Sequence, residues 1–99
     1  MMNWEILAQT MPKEINGVPI DAAIITSEEN CRYISGFHAS ARVVVVTREI
    51  AYLLTDFRYG EAARMQVKDC KVVVYQKLAK SIEEILRRHD IRGVLLEHE

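Results

Sequence analysis

Apolar residues recur along this chain with two different spacings. Across 77–89, Leu78, Ile82 and Ile85 lie three or four positions apart, which predicts an amphipathic helix. The valines at 43–46 follow one another without alternation, which is typical of a strand covered on both faces. The chain therefore combines helices and buried strands.

The same two spacings predict nine elements in the order α, β, α, β, β, α, β, α, β. Strands that alternate with helices favour a mostly parallel sheet with helices on its faces, and a predicted β-hairpin over 43–55 makes that sheet mixed. We therefore expect one α/β domain over residues 1–99, with three layers and a mixed, mostly parallel five-stranded sheet. Helices are expected at 3–10, 28–34, 56–67 and 77–89, and strands at 20–26, 43–47, 50–55, 71–75 and 93–96.

Polar residues and glycines predict where several elements begin and end. Ser27 is expected to cap the helix over 28–34, and Gly36 is expected to end it. Asp56 is expected to cap the next helix. Asn16-Gly17 predicts a turn in the connection before the first strand.

Composition excludes several classes of function. The chain has 99 residues, 49% of them hydrophobic, and a net charge of −1, so it lacks the basic patch of a nucleic-acid-binding protein. No apolar run approaches the ~18 residues of a membrane span. Cys31 and Cys70 form no disulfide framework. They are expected to be reduced, partly buried thiols, which favours the cytoplasm.

No set of residues in the chain has the spacing of a metal site or a nucleophilic triad. The three histidines, His38, His89 and His98, form no recognised ligand pattern with either cysteine. His98 stands between two glutamates but is interpreted as part of a solvated chain end. The serines lack the sequence context of an activated nucleophile. We therefore assign no catalytic and no metal-binding residue to this chain.

Three short motifs carry the functional information. The first begins as Asp-Ala-Ala-Ile-Ile-Thr-Ser over 21–27 and continues into Asn30, Tyr33, Ser35, Gly36 and Phe37. The second reads Leu-Thr-Asp-Phe-Arg-Tyr over 54–59, and the third is the Gly-x-apolar-x-Glu segment 93–97. In this order and spacing the motifs resemble the N-terminal domain of the creatinase/prolidase/Xaa-Pro aminopeptidase family, and the resemblance covers about residues 18–99.

The resemblance implies a ribonuclease-H-like α/β fold and a role without catalysis. In this family a separate C-terminal domain holds two divalent metal ions, such as Mn, Co or Zn, on two Asp, one His and two Glu. That domain is absent from this chain. The N-terminal domain is expected to contact it, to form a homodimer, and to gate the access of Xaa-Pro peptides to the metal site.

The resemblance also implies that loop 37–42 approaches the substrate. Phe37 is expected to offer an apolar wall, His38 a hydrogen bond at neutral pH, and Arg42 a bidentate contact to a substrate carboxylate. The competing interpretation places Phe37 in the core and leaves His38 and Arg42 as solvated loop residues. The other motif residues, expected to be mainly structural, are Asn30, Tyr33, Gly36, Asp56, Arg58 and Tyr59.

Two alternatives stay open at this point. The chain is either part of a longer protein, as its end directly after the predicted strand 93–96 suggests, or an independent α/β interaction module. A creatinase-like or inactive parent would carry the same domain. The sequence therefore leaves open whether the parent is an active peptidase.

Overall fold

The predicted alternation of helices and strands is present across residues 4–97, which are the residues described by the computed structural model. The helices are α1 (Trp4–Thr10), α2 (Glu28–Ser35), α3 (Gly60–Gln66) and α4 (Leu78–Arg88). The strands are β1 (Glu14–Ile15), β2 (Val18–Pro19), β3 (Ala22–Ile25), β4 (Val43–Thr47), β5 (Ala51–Thr55), β6 (Lys71–Val74) and β7 (Val94–Leu96). Asn3, the first residue of the predicted first helix, lies outside the described residues.

Five strands form the main sheet, in the order β6-β5-β4-β3-β7. The central strand β4 is antiparallel to both neighbours, whereas β3 pairs with β7 and β5 pairs with β6 in parallel. The predicted mixed five-stranded sheet is therefore confirmed. Four strands share one direction, so their carboxyl ends lie at the same edge as the amino end of β4. We call this edge the carboxyl edge.

Helices cover both faces of the sheet, as predicted. One core cluster joins α1, α2 and α3 to one face of β4 and β5, and includes the fully buried Val44 and Leu53. A second cluster joins Ile85 of α4 to Val45 and Leu54 on the opposite face. Because β4 carries helices on both faces, all five of its residues are buried. This explains why its sequence shows no polar alternation.

A short hairpin, β1 and β2, precedes the main sheet. Asn16 and Gly17 both have positive φ, 51° and 81°, at its turn. Positive φ at both central residues suits the right-handed twist of the flanking strands and is favoured by Asn-Gly. The predicted turn is confirmed, but the sequence did not indicate that the flanking residues pair as strands.

The start of α3 differs from the prediction. The helix begins at Gly60, and its capping residue, Tyr59, makes no side-chain capping bond. Asp56 instead accepts a hydrogen bond from the backbone N–H of Arg58, 3.0 Å from Oδ1. The prediction that Asp56 caps this helix is therefore wrong. Its carboxylate closes the turn at 56–59, which delays the start of the helix by four residues.

Cys31 and Cys70 are buried, and neither forms a disulfide. Burial is the main cause that raises the pKa of Cys70 to about 11, with a smaller contribution from the charge of Asp69. A thiol with this pKa stays protonated at neutral pH and is a poor nucleophile. Cys31 donates a hydrogen bond to the carbonyl oxygen of Ile25, 3.2 Å away. We interpret both residues as part of the core.

Candidate functional site

The first two sequence motifs meet at the carboxyl edge. The first follows β3 and continues through α2, and the second ends β5 and continues into the turn at 56–59. Loop 37–42 leads into β4, which lies between β3 and β5 in the sheet. The loop therefore lies between the two motifs. Ligands of open α/β sheets bind preferentially at the carboxyl ends of the strands, so this edge is the candidate site.

Two hydrogen bonds attach the loop to the second motif. The hydroxyl groups of Ser40 and Tyr59 share a hydrogen bond of 2.7 Å. The hydroxyl of Thr55 donates to the carbonyl oxygen of Ala41, 2.6 Å away. The rings of Phe37 and Tyr59 pack edge to face, with centroids 6.4 Å apart. The two segments are therefore one structural unit, although nineteen positions separate Ser40 and Tyr59.

The three loop residues singled out by the sequence occupy different environments. Phe37 is 5% exposed and belongs to the core cluster beneath the loop. His38 is exposed, and its Nδ1 lies 3.1 Å from a carboxylate oxygen of Glu28. Arg42 is partly buried and donates from Nη1 to the carbonyl oxygen of Ser40 at 2.9 Å. The groups that a ligand can reach in this loop are therefore mainly polar.

Arg42 also carries an unsatisfied donor. Its Nε is buried and has no hydrogen-bond partner among residues 4–97. A buried donor of a charged group is costly to leave unpaired, and residues 4–97 supply no acceptor for this one. A carboxylate is the natural acceptor for a guanidinium group.

The second motif contains an ion pair at the carboxyl edge. Arg58 Nη2 lies 2.7 Å from Asp56 Oδ2, and Arg58 Nε lies 3.0 Å from the same oxygen. Hydrogen bonding to the Arg58 side chain is the main cause that lowers the pKa of Asp56, and the same pairing raises the pKa of Arg58. The Arg58 guanidinium lies 5.2 Å from the centre of the Tyr59 ring. Arg58 is therefore held between the Asp56 carboxylate and the Tyr59 ring.

The remaining residues of the first motif shape α2. Ser27 caps the helix by accepting a hydrogen bond from the Asn30 N–H at 3.2 Å, as predicted. Gly36 ends the helix in the left-handed conformation, with φ 73°, and donates its N–H to Arg32. Tyr33 is half exposed on α2. These positions explain the choice of Ser, Asn and Gly without a ligand.

Glu97, at the end of the third motif, binds the start of α2. Its Oε1 accepts hydrogen bonds from the N–H groups of Thr26 and Ser27, at 2.9 and 2.8 Å. Its Oε2 accepts from the Ser27 hydroxyl at 2.8 Å and from the Asn30 side chain. Desolvation raises the pKa of Glu97, but these hydrogen bonds outweigh it and lower the pKa to about 2. The sequence placed Glu97 in a motif without indicating this contact.

At the opposite edge of the sheet lies an open cleft of about 820 Å³ between α1 and the turns that flank β3, β4 and β7. Arg48 donates to the carbonyl oxygens of Pro12 and Ile20, at 3.1 and 2.8 Å, and to that of Ala8. Asp21 pairs with Arg92, with Nε 3.0 Å from Oδ2. Because these charged groups are engaged by the protein itself, we interpret the cleft as structural.

Neither a metal centre nor a membrane span is found in the described part of the chain. Among residues 4–97, no three His, Cys, Asp or Glu side chains are arranged to hold a metal ion. None of the helices in that range is long and apolar enough to cross a membrane. His98, which the sequence analysis interprets as part of a solvated chain end, lies outside the described residues.

Comparison with known proteins decides the family. The family model described as the creatinase/prolidase N-terminal domain matches residues 9–98, which is most of the chain. The chain belongs to this family. The resemblance inferred from the three motifs is therefore confirmed.

Relatives of this creatinase/prolidase N-terminal domain include peptidases that are much longer than the chain. It is 44% identical over 54 residues to the uncharacterized peptidase YqhT of Bacillus subtilis, a match that covers 54% of this chain and 15% of YqhT. It is 27% identical to a Xaa-Pro dipeptidase from Bacillus anthracis, with a TM-score of 0.74, over 82% of this chain and 22% of that protein.

Two further solved structures confirm the predicted fold. An X-Pro aminopeptidase from Thermotoga maritima superposes with a TM-score of 0.81 at 24% identity, over 98% of this chain and 27% of that one. The N-terminal domain of the cytoplasmic peptidase PepQ from Mycobacterium tuberculosis superposes with a TM-score of 0.73 at 24% identity, over 95% and 68%. At these identities the likeness shows the fold alone.

Proposed function

We propose that this creatinase/prolidase N-terminal domain is the non-catalytic part of a Xaa-Pro dipeptidase or aminopeptidase. In this proposal it takes part in forming a homodimer and gates the access of peptide to a metal site in a separate C-terminal domain. The position of loop 37–42 carries the proposal, because the loop presents polar groups at the carboxyl edge between two family motifs. The relatives described as Xaa-Pro dipeptidase and X-Pro aminopeptidase support the substrate class.

The proposal assigns the chemistry to a domain outside this chain. Two divalent metal ions, such as Mn, Co or Zn, would be held there, and this chain would supply no ligand to them. Its partners would be its own C-terminal domain, a second copy of the protein, and the peptide substrate. The proposed compartment is the cytoplasm, in line with the buried thiols of Cys31 and Cys70, which form no disulfide.

The loop offers specific contacts for a peptide. Arg42 has an unsatisfied Nε donor beside the Nη1 group that already binds the carbonyl oxygen of Ser40. A carboxylate of the substrate would complete its hydrogen bonds. His38 lies at the exposed surface beside Glu28, where it can donate to a second substrate group. Phe37 is buried, so its part in this proposal is to support the loop from beneath.

The coding frame beyond Glu99 gives the first test. We expect it to continue for a few hundred residues and to contain two Asp, one His and two Glu in the order of the family's metal ligands. A continuation in which these ligands are replaced would indicate a parent without peptidase activity. A stop codon directly after Glu99 would contradict the proposal and would favour an independent interaction module.

In the full-length peptidase, replacing His38 or Arg42 by alanine should raise KM for a Xaa-Pro substrate about tenfold. Each variant removes a contact to the bound peptide that is made equally in the ground and transition states, so kcat should change less than about twofold. Steady-state kinetics and a metal assay measure the effect. The metal content should stay unchanged because neither residue is a proposed ligand.

Arg87→Ala is the matched control. Arg87 is an exposed arginine on α4, where it pairs with Glu83. Its loss should leave both kinetic constants unchanged. Wild-type kinetics in His38→Ala and Arg42→Ala would overturn the gating proposal, whereas a fall in metal content would show that the loop acts on the metal site and not on the substrate.

A further inference from the structure

We propose that Tyr59 is a positioning residue for loop 37–42 and that Ser40 is its partner in that role. The expected effect of the loop on substrate binding rests on the proposed function. The attachment of the loop by Tyr59 does not, because it is a property of this chain. It assigns a structural role to the second motif, 54–59, which the family assignment alone does not specify. Tyr59 itself need not touch the peptide.

Tyr59 contacts the loop at two separate places. Its hydroxyl shares the 2.7 Å hydrogen bond with Ser40, close to the exposed part of the loop. Its ring packs edge to face on Phe37, at the start of the loop. The segment between these two contacts contains His38, one of the two proposed substrate contacts. One side chain therefore determines the position of both ends of that segment.

Tyr59 is itself firmly held. Its N–H donates to the carbonyl oxygen of Asp56 at 3.1 Å, and its own carbonyl oxygen accepts from the N–H of Ala63 at 2.8 Å, in the first turn of α3. The guanidinium of Arg58 lies against its ring and is fixed by Asp56. A side chain held by a closed turn, a helix and an ion pair can act as a rigid support for a surface loop.

The far end of the loop has a second attachment. Thr55, which ends β5 and is fully buried, donates its hydroxyl to the carbonyl oxygen of Ala41. This bond holds the backbone next to Arg42 irrespective of Tyr59. The arrangement predicts that loss of the Tyr59 hydroxyl frees the middle of the loop, near His38 and Ser40, more than its end at Arg42.

The first measurement uses backbone ¹⁵N relaxation on the chain itself, which reports on the mobility of loop amides that make no hydrogen bond. Tyr59→Phe removes only the hydroxyl group and keeps the ring contact with Phe37. The order parameters of the amides of residues 38–41 should fall from about 0.85, typical of a rigid backbone, to below about 0.6. Ser40→Ala should give the same decrease, and the double variant should add nothing further. Tyr33→Phe, which removes an exposed hydroxyl on α2, is the matched control and should leave the loop unchanged.

The second measurement uses the full-length peptidase. Tyr59→Phe should raise KM for a Xaa-Pro substrate about threefold to fivefold, with kcat and Tm close to those of the wild type. A purely structural role would lower Tm without this change in KM. Unchanged order parameters of residues 38–41 in Tyr59→Phe would overturn the positioning role, whatever the kinetics show. Lower order parameters together with wild-type kinetics in His38→Ala, Arg42→Ala and Tyr59→Phe would support the attachment and overturn the proposed gating function instead.

Discussion

Replacing Gly93 by alanine should lower the free energy of unfolding by about 3 kcal/mol. A β-carbon at this position would lie 2.3 Å from the carbonyl oxygen of Pro19, which is far inside van der Waals contact. It would also lie 3.0 Å from Val18 and 3.1 Å from Ile20. The nearest atom belongs to the backbone, so no rotation of a side chain relieves the clash. Urea denaturation of the two proteins, followed by circular dichroism, measures the difference.

The clash also involves the pairing of two strands. The carbonyl oxygen of Gly93 accepts the N–H of Asp21 at 3.0 Å, just before β3 and β7 begin to pair. Moving Gly93 away from Pro19 would strain that hydrogen bond. Gly17→Ala is the control, because Gly17 has φ +81° but open space around its Cα. It should cost only about 1 kcal/mol from backbone strain. Equal losses in the two variants would refute the close approach at Gly93.

The elements that the sequence predicted best are those whose signal is local. The prediction for β4, 43–47, matches the observed strand, and the predicted helix 77–89 matches α4 to within one residue at each end. Both signals come from the spacing of apolar residues within the element itself. The same holds for α2, whose start and end were predicted from Ser27 and Gly36. These signals depend on residues within or next to the element, so they do not depend on how the rest of the fold packs around it.

The wrong prediction at Asp56 shows that residue type alone does not determine where a helix begins. An aspartate before a helix can cap it, or it can close a turn with its own neighbours, and the residue type is the same in both cases. Here Arg58, two positions later, binds the carboxylate through its backbone and its side chain. The helix starts only after that turn. Sequence pattern alone does not decide between the two structures.

The sequence did not predict the long-range polar contacts of this domain. Glu97 binds residues 67 to 71 positions away, and Arg48 binds carbonyl groups 28 to 40 positions away. Backbone acceptors leave no signature in the sequence, because every residue carries one. For loop 37–42, the sequence indicated the candidate residues through the family resemblance. It left open how the loop is attached, which depends on the packing of Ser40 and Tyr59.

Replacing Glu97 by glutamine should destabilise the domain by about 2 kcal/mol at neutral pH. The carboxylate binds two backbone N–H groups, at Thr26 and Ser27, and two side chains, those of Ser27 and Asn30. An amide has only one acceptor oxygen, so it cannot satisfy all of these donors at once. It also removes the negative charge that favours the N-terminus of α2. Thermal unfolding followed by circular dichroism measures the loss.

The loss of stability in Glu97→Gln should depend on pH. Hydrogen bonding lowers the pKa of Glu97 from an ordinary 4.5 to about 2 in the folded protein. A carboxyl group with a lowered folded pKa stabilises the fold fully at pH values above its unfolded pKa. That stabilisation is lost as the pH falls from about 4.5 towards about 2, because the unfolded chain then binds the proton more readily. The difference in stability between wild type and Glu97→Gln should therefore shrink across this interval.

Measuring the difference between the two proteins separates Glu97 from the other acidic groups. Asp21 and Asp56 also have a lowered pKa, and in both cases an arginine side chain is the main cause. They titrate in both proteins, so their contributions cancel in the difference. Glu83→Gln, at an exposed pair with Arg87, is the control and should change stability by less than about 0.5 kcal/mol. A difference for Glu97→Gln that stays constant from pH 7 to pH 2 would show that its carboxylate does not hold β7 to α2.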